Sequence, residues 1–374
     1  MTTNQSSWSF RSLKQCRIDN FFEILSLFLM VASIAFSPFR YLTYTLPAFA
    51  LIVILANRQI YIPELAKPYL ILLISGLILS PNANSEGIKD LYLILAGLSV
   101  ALVGHSIYYT WRTLFLICVV IYILSFGVDG FAAFRYFSLD FTTANRSLAS
   151  SFSFVFGVFA IWATHERKWQ NVLFALLFTV LAAKRIAIIG ALICIVMQLL
   201  PSALIVRLLR PMQMLAINIV IIMMLLAYGS GELNYILLTL TGKSANAIGL
   251  GRQVLYSAVV AEYFKDPLQF LLVGAGPGQT YDILKGGVNW HTKENLHSDL
   301  LKIVTEYGAI VFTVFFWVLY SSRKAIVLIF ALYANILFLT DNTLIYPFFI
   351  YFLIYIAMCI SEKEGYLTRK GVTV

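Results

Sequence analysis

Long apolar runs parted by short polar or charged junctions set the rhythm of this chain from about residue 21 to residue 360. A helix needs roughly 20 mostly apolar residues to cross a bilayer, and that ruler yields about twelve candidate spans. Their approximate cores are Phe21–Phe36, Leu42–Ala56, Tyr69–Ser80, Leu91–Val103, Thr113–Val128, Leu148–Ala163, Val172–Ala183, Ile186–Leu200, Met212–Ala227, Leu300–Tyr320, Ala325–Leu339 and Leu344–Ile360. The third and fourth are short, and only Lys184 and Arg185 part the seventh from the eighth. The rhythm breaks once. Between residues 229 and 295 lie Gly, Pro, Asn and Lys among interrupted apolar stretches, a connection long enough to be functional or disordered. Inside it Val254, Leu255, Ala258, Val259, Ala261, Tyr263 and Phe264 recur at helical spacing with Glu262 and Lys265 interleaved. This predicts an amphipathic helix over 252–270, lying on the membrane face or on the bundle. The expectation is a single all-α polytopic membrane domain over 1–374, with a large outer loop over 229–295 folded as a cap between the ninth and tenth spans. No internal repeat of solenoid length is visible.

Composition strengthens this reading. Hydrophobic residues make up 60% and charged residues 12% of the chain, with a mean hydropathy of +0.84; soluble domains run near half and about a quarter. The 15% aromatic content suits many membrane–water interfaces. The net charge of +9 does not point to nucleic acid, because Lys and Arg sit in short junctions where they orient the chain. With both termini inside, the inner segments hold Arg11, Lys14, Arg17, Arg58, Lys67, Arg112, Arg167, Lys168, Arg207, Arg210, Arg323, Lys324, Lys363, Arg369 and Lys370. The short outer junctions hold only Arg40, Lys89, Arg135, Arg146, Lys184 and Arg185. The polar N-terminal stretch reads as a cytoplasmic tail before a retained first span, since no small-residue cleavage site follows. Cys16, Cys118, Cys194 and Cys359 are scattered without CxxC spacing and read as small buried hydrophobes.

Cations on the outer side lack that orienting role. Lys184 and Arg185 lie between two apolar runs, where ionisable groups are expensive and mark binding or transport paths; the alternative is a hairpin whose cations snorkel to headgroups. Arg252 follows Gly249-Leu250-Gly251 at the start of the amphipathic helix, where a guanidinium can fork onto two phosphate oxygens or remain a solvated loop cation. Gly274-Ala275-Gly276-Pro277-Gly278 is a glycine turn that either lets backbone N–H groups approach a ligand or is simply structural; its GxGxG spacing is not a dinucleotide fingerprint. His297, in Asn295-Leu296-His297-Ser298-Asp299, precedes the next span. A helix N-terminus keeps an imidazole neutral, as a general base requires, although an interfacial anchor has the same appearance. Asp299, Lys302 and Glu306 share one face of the following helix and must face protein or water. His291, Glu294 and His297 spread too widely around a helix for one ion, so no metal is expected.

In this order the features resemble the O-antigen polymerase and O-antigen ligase superfamily of bacterial polysaccharide assembly. The matching pieces are Ala183-Lys184-Arg185-Ile186, then Gly251-Arg252 followed by a helix and Val273-Gly274-Ala275-Gly276-Pro277-Gly278, then His297 with Leu300, Glu306 and Gly308. They span roughly residues 145 to 320. Ser298 and Lys184 stand where the family often has Asn and Ser. The resemblance implies a GT-C-like glycosyltransferase in the bacterial inner membrane, its site facing the periplasm, using a glycan on undecaprenyl pyrophosphate. Arg185 and Arg252, with Lys184, Gly274, Gly276 and Glu306 around them, would bind the pyrophosphate substrate, and His297 would be the base. The implied transfer is metal-independent, inverts the anomeric carbon and uses no cofactor. Its partners are the lipid-linked oligosaccharide, membrane lipids and a chain-length regulator. Asp341-Asn342 between the last two spans favours polymerase over ligase, and a lipid-linked oligosaccharide flippase is the alternative from another class.

Overall fold

A computed structural model describes residues 13–104, 107, 109–125, 150–249, 251–287 and 295–369. Arg11, Arg135, Arg146, Leu250, His291, Glu294 and Lys370 lie outside the described residues, as do the side chains of Cys16, Lys14, Arg17, Lys363 and Arg369. Every regular element among the described residues is helical. In chain order these are α1 (Leu13–Ala35), α2 (Ser37–Leu42), α3 (Leu46–Asn57), α4 (Lys67–Ile78), α5 (Ser85–Val103), α6 (Trp111–Ser125), α7 (Phe152–His165), α8 (Trp169–Leu181), α9 (Arg185–Gln198), α10 (Ser202–Leu208) and α11 (Pro211–Ser230). They continue as α12 (Asn234–Thr241), α13 (Ala245–Ile248), α14 (Arg252–Lys265), α15 (Pro267–Leu272), α16 (Gln279–Gly287), α17 (Asp299–Leu319), α18 (Ala325–Phe338) and α19 (Pro347–Arg369). Four segments are long and apolar enough to cross a membrane: Ile18–Ala35, Pro38–Asn57, Pro211–Ser230 and Asp299–Leu319. Six shorter apolar helices accompany them.

Burial sorts helices that hydropathy leaves alike. In α7 every residue from Phe152 to Thr164 is buried, and α18 and the first half of α19 are nearly as enclosed, so these three form the centre. By contrast α11 buries only Met214, Asn218, Ile222 and Gly229 and turns Ile217, Val220, Met223 and Met224 outward. An apolar helix with one buried edge suits a lipid surrounding. Edge-to-face rings zip α6, α7 and α8 together, with Phe115 lying 5.7 Å from Phe156, 5.6 Å from Phe159 and 5.7 Å from Phe178.

Contacts between distant residues gather the helix ends into two groups. At one end Asn57 Nδ2 donates to Asp19 at 2.6 Å, Tyr355 Oη to Glu23 at 2.7 Å, and Tyr61 N to the Leu102 carbonyl at 2.9 Å. At the other, Tyr92 Oη donates to the Tyr44 carbonyl at 2.6 Å, Ser150 N to Ala182 O at 3.0 Å, and Lys184 pairs with Asp341 at 3.4 Å.

The segment after α11 is folded at this second end. Helix α14 packs along α11 and buries Leu255, Tyr256, Ala258, Val259 and Val260, so its apolar face is spent on the bundle. The helix expected through Phe270 splits in two, because the Asp266 carboxylate caps Gln269 N at 3.1 Å and Pro267 opens α15. Next, the glycine turn meets a break in α17. Gly308, at φ 76° and ψ 172°, interrupts the i to i−4 ladder. The carbonyls of Thr305 and Glu306 just before it accept from Ala275 N at 2.8 Å and Gly276 N at 2.9 Å. Only glycine permits this approach: a Cβ on Gly274 would lie 2.5 Å from Gly308 N.

Candidate functional site

Three helices begin at the second end, each entered through a residue in the left-handed region. Ala183 (φ 55°) leads through Lys184 into α9, Gly251 (φ 88°) into α14, and His297 (φ 53°) through Ser298 into α17. Arg185 and Arg252 are therefore the first residues of their helices, and neither helix has a side-chain cap or an acidic residue in its first turn. A cation there opposes the helix dipole, while the uncapped N–H groups remain available to an anion. Helices α8, α11 and α18 also start uncapped after Lys168, Arg210 and Lys324, the junctions where the sequence leads one to expect orienting cations. Helix α17 differs, since Ser298 Oγ accepts from Leu301 N at 3.3 Å and Asp299 supplies an acid.

A chain of contacts ties the three starts together. Tyr256, one turn along α14 from Arg252, donates to the His297 carbonyl at 3.3 Å, next to Ser298 in the chain. Burial pushes its hydroxyl up to about 12, against the lowering pull of Arg252 and Ser298. From Ser298 the path runs to Asp299, whose N–H donates to the Asp341 carbonyl at 3.2 Å and whose carboxylate accepts from Leu344 N at 2.9 Å. The Asp341 carboxylate pairs with Lys184 at 3.4 Å and accepts from Tyr346 Oη, also at 3.4 Å, while Arg40 acts electrostatically on that tyrosine. Thus Lys184, Arg252, His297 and Asp341, dispersed over the sequence, share one end of the bundle. Arg185 is exposed and has no hydrogen bond or ion pair with a described residue. The buried Asn342 Nδ2 has no hydrogen-bond partner among the described residues.

The remaining residues singled out by sequence have different surroundings. The N–H groups of Gly274 and Gly276 are committed to the carbonyls of Gln269 and Glu306, both at 2.9 Å, so this turn joins the cap to α17. Glu306 is buried inside the bundle, accepting from Thr280 Oγ1 and lying 3.8 Å from Lys302 Nζ. Lys302 is ion-paired with Asp90 of α5 and sits 4.7 Å over the Tyr281 ring. Asn84 ties the same region to the cap, donating to Gly278 O and to Asp282, each at 2.7 Å. These contacts make Lys302, Asp90 and Glu306 the buried fastening beneath the cap.

No protein-family model, curated protein or solved structure matches this chain. Among the described residues no group of three His, Cys, Asp or Glu side chains is disposed to hold a metal ion. Sequence reasoning missed Tyr256 and Asp90. The first falls outside the apolar positions that mark its helix, and nothing in the local sequence sets it apart. The second was a lone acid at the edge of a short span, and its partner lies 212 positions away.

Proposed function

We propose that this protein is a membrane glycosyltransferase of the O-antigen polymerase type, crossing the bacterial inner membrane about twelve times with residues 229–295 on the periplasmic side. The four long apolar segments and six shorter apolar helices support a polytopic membrane protein. In the proposed reaction a hydroxyl of a lipid-linked repeat unit attacks the anomeric carbon of the growing glycan. The bond to the undecaprenyl pyrophosphate oxygen breaks with its electron pair, and His297 takes the hydroxyl proton. The leaving group gathers negative charge, which Arg252, Arg185 and the two uncapped helix starts are suited to stabilise. The observation carrying this reading is the meeting of Arg252, His297 and Lys184 through Tyr256 and Asp341 at one end of the bundle.

The test is the purified protein in detergent with a synthetic polyprenyl-pyrophosphate repeat unit and excess EDTA, read by mass spectrometry. Products of two or more units are expected, and Arg252→Ala or His297→Ala is expected to lower the rate about a hundredfold or more. Unchanged oligomer yield from either variant removes that residue from the mechanism. Transfer only to lipid A core would make the protein a ligase. A transport reading draws on the break at Gly308 and the buried Lys302 cluster, since discontinuous helices and buried charges mark transport sites. Flipping of lipid-linked oligosaccharide by proteoliposomes without product formation would favour it.

A further inference from the structure

One helix of the cap is apolar on every side. Helix α12 leaves the end of α11 after Gly231 (φ 88°), and the chain returns to the same end at Ala245, whose carbonyl accepts from Tyr228 Oη at 2.9 Å. Gln253, the neighbour of Arg252, clamps the base of this excursion, its Nε2 donating to Tyr228 O at 3.0 Å and to Asn234 Oδ1 at 2.5 Å. Three observations bear on what surrounds α12. None of its eight residues is buried among the described residues. Tyr235, Ile236, Leu238 and Leu240 are 79%, 51%, 53% and 77% exposed, and at about 3.6 residues per turn they spread around the axis instead of forming one stripe. Between them, Thr239 and Thr241 turn their hydroxyls back onto the Tyr235 and Leu237 carbonyls at 2.8 and 2.7 Å, so these side chains ask little of water.

We infer that α12 is inserted in the bilayer leaflet adjoining the capped end, with lipid chains on all its sides. A helix apolar all round is enclosed all round, by protein or by hydrocarbon. A second copy, or any folded partner, covers one face of a helix anchored at its base and leaves the far face in water. Fluid chains close around the whole circumference, which is the cover this exposure pattern needs. The surface is also continuous with α11, which turns Val220, Met223 and Met224 outward and whose last turn carries the excursion. The charges of the segment, Glu232 and Lys243, stand outside the helix at either end, where headgroups and water can solvate them. At about 12 Å α12 is too short to cross the bilayer, so the excursion dips into the leaflet and returns to the side it came from. The sequence pattern marked α14 for the membrane face; that helix spends its apolar face on the bundle, and α12 meets the lipid instead. The inference rests on the protein's being embedded in a membrane and is independent of the glycosyl-transfer reading.

The experiment is nitroxide spin labelling of the full chain in phosphatidylcholine liposomes. In a Cys16→Ser background, where Cys118, Cys194 and Cys359 are buried, the single variants Tyr235→Cys, Ile236→Cys, Leu238→Cys and Leu240→Cys each carry one label. All four positions are exposed, so the fold is kept, which an unchanged melting temperature checks. Each label is read by its collisions with oxygen, which concentrates in hydrocarbon, against its collisions with a water-soluble nickel chelate. A label at Met223→Cys on α11 sets the scale for a lipid-facing side chain. All four labels on α12 are expected to favour oxygen, with an oxygen-to-nickel ratio within about twofold of the Met223 value. The inference is overturned if any of the four favours the chelate, as on a helix in water. It is equally overturned if any is shielded from both reagents, as beneath a second copy or another segment of this chain. A Met223 label that itself favours the chelate removes the membrane setting and the inference with it, and so separates that failure from a failure of α12 alone.

Discussion

Lys302→Met isolates the role of the buried charges. In the folded protein Lys302 is the cation between Asp90 and Glu306, and the three residues are 6%, 5% and 1% exposed. Methionine keeps the length and apolar stem but leaves two carboxylates facing one another without that counter-charge. Removing one partner from a buried ion pair costs about 3–5 kcal/mol, and the like-charged remainder places this variant at the upper part of that range. Asp90→Asn is a milder change, since it keeps an acceptor and leaves Lys302 with Glu306 at 3.8 Å, so about 1–2 kcal/mol is expected. The triple variant Asp90→Asn/Lys302→Met/Glu306→Gln has none of the three charges left, and the amide carbonyl that replaces the Glu306 carboxylate can still accept from Thr280. It should recover most of the loss, because uncharged replacements of buried ion clusters are often neutral. The assay is reversible unfolding in mixed detergent micelles, followed by tryptophan fluorescence, with trypsin cleavage in the cap as a local readout. The reasoning fails if Lys302→Met costs no more than Asp90→Asn, or if the triple variant is no more stable than Lys302→Met.

Other consequences are as direct. Gly274→Ala brings a Cβ to 2.5 Å from Gly308 N, whereas Gly251→Ala, at φ 88°, meets nothing within 4 Å. The second should cost only the left-handed strain of about 1–2 kcal/mol, and the first visibly more in melting temperature; equal losses would refute the close approach. Burial raises the hydroxyls of Tyr256 and Tyr263 from 10.0 to about 12, so the folded cap holds these protons more firmly than the unfolded chain. Their contribution is complete below pH 10 and is lost as pH rises through about 12; the Tyr256→Phe/Tyr263→Phe variant should flatten cap protection across that window, measured by proteolysis. Lys184→Ala strips the cation from Asp341 and should cost about 1 kcal/mol, discounted because Lys184 is 31% exposed. Arg185→Ala should stay within about 0.5 kcal/mol of wild-type stability while lowering transfer activity at least tenfold; a destabilised, fully active Arg185→Ala would contradict its assignment to substrate.

Hydropathy located the apolar helices and said nothing of their surroundings. Runs as alike as Phe152–Thr164 and Met212–Ser230 end up respectively enclosed on all sides and buried along a single edge, a difference made by neighbours rather than by composition. The amphipathic stretch after Gly251 was legible because Val254 to Phe264 keep a helical period, yet its end was set by the Asp266 cap and Pro267. The glycine turn was ambiguous in sequence for a physical reason. Glycine allows backbone to approach either a ligand or other backbone, and only the break at Gly308 decides that here it approaches α17. Long-range partners such as Asp90 with Lys302 leave no local signal, because each residue looks like a lone charge at the edge of an apolar run.

The charge arrangement at the capped end narrows what a ligand must be. Lys184 is held by Asp341, which leaves the guanidiniums of Arg185 and Arg252 without an acid among the described residues, each at the start of a helix whose own first N–H groups are uncapped. A neutral sugar gains little from such a place, since it offers no charge to either guanidinium and competes with water for the N–H groups. A ligand with negative charge concentrated at one point gains from both at once. Helix α11, on which the Arg252 helix rests, turns Met223 and Met224 outward at 63% and 59% exposure, so an apolar surface runs up to the cationic end. An amphiphile with an anionic junction between a lipid tail and a polar head satisfies both surfaces together. A soluble sugar phosphate engages the cations alone, and should therefore compete for the site far more weakly than its polyprenyl-linked counterpart.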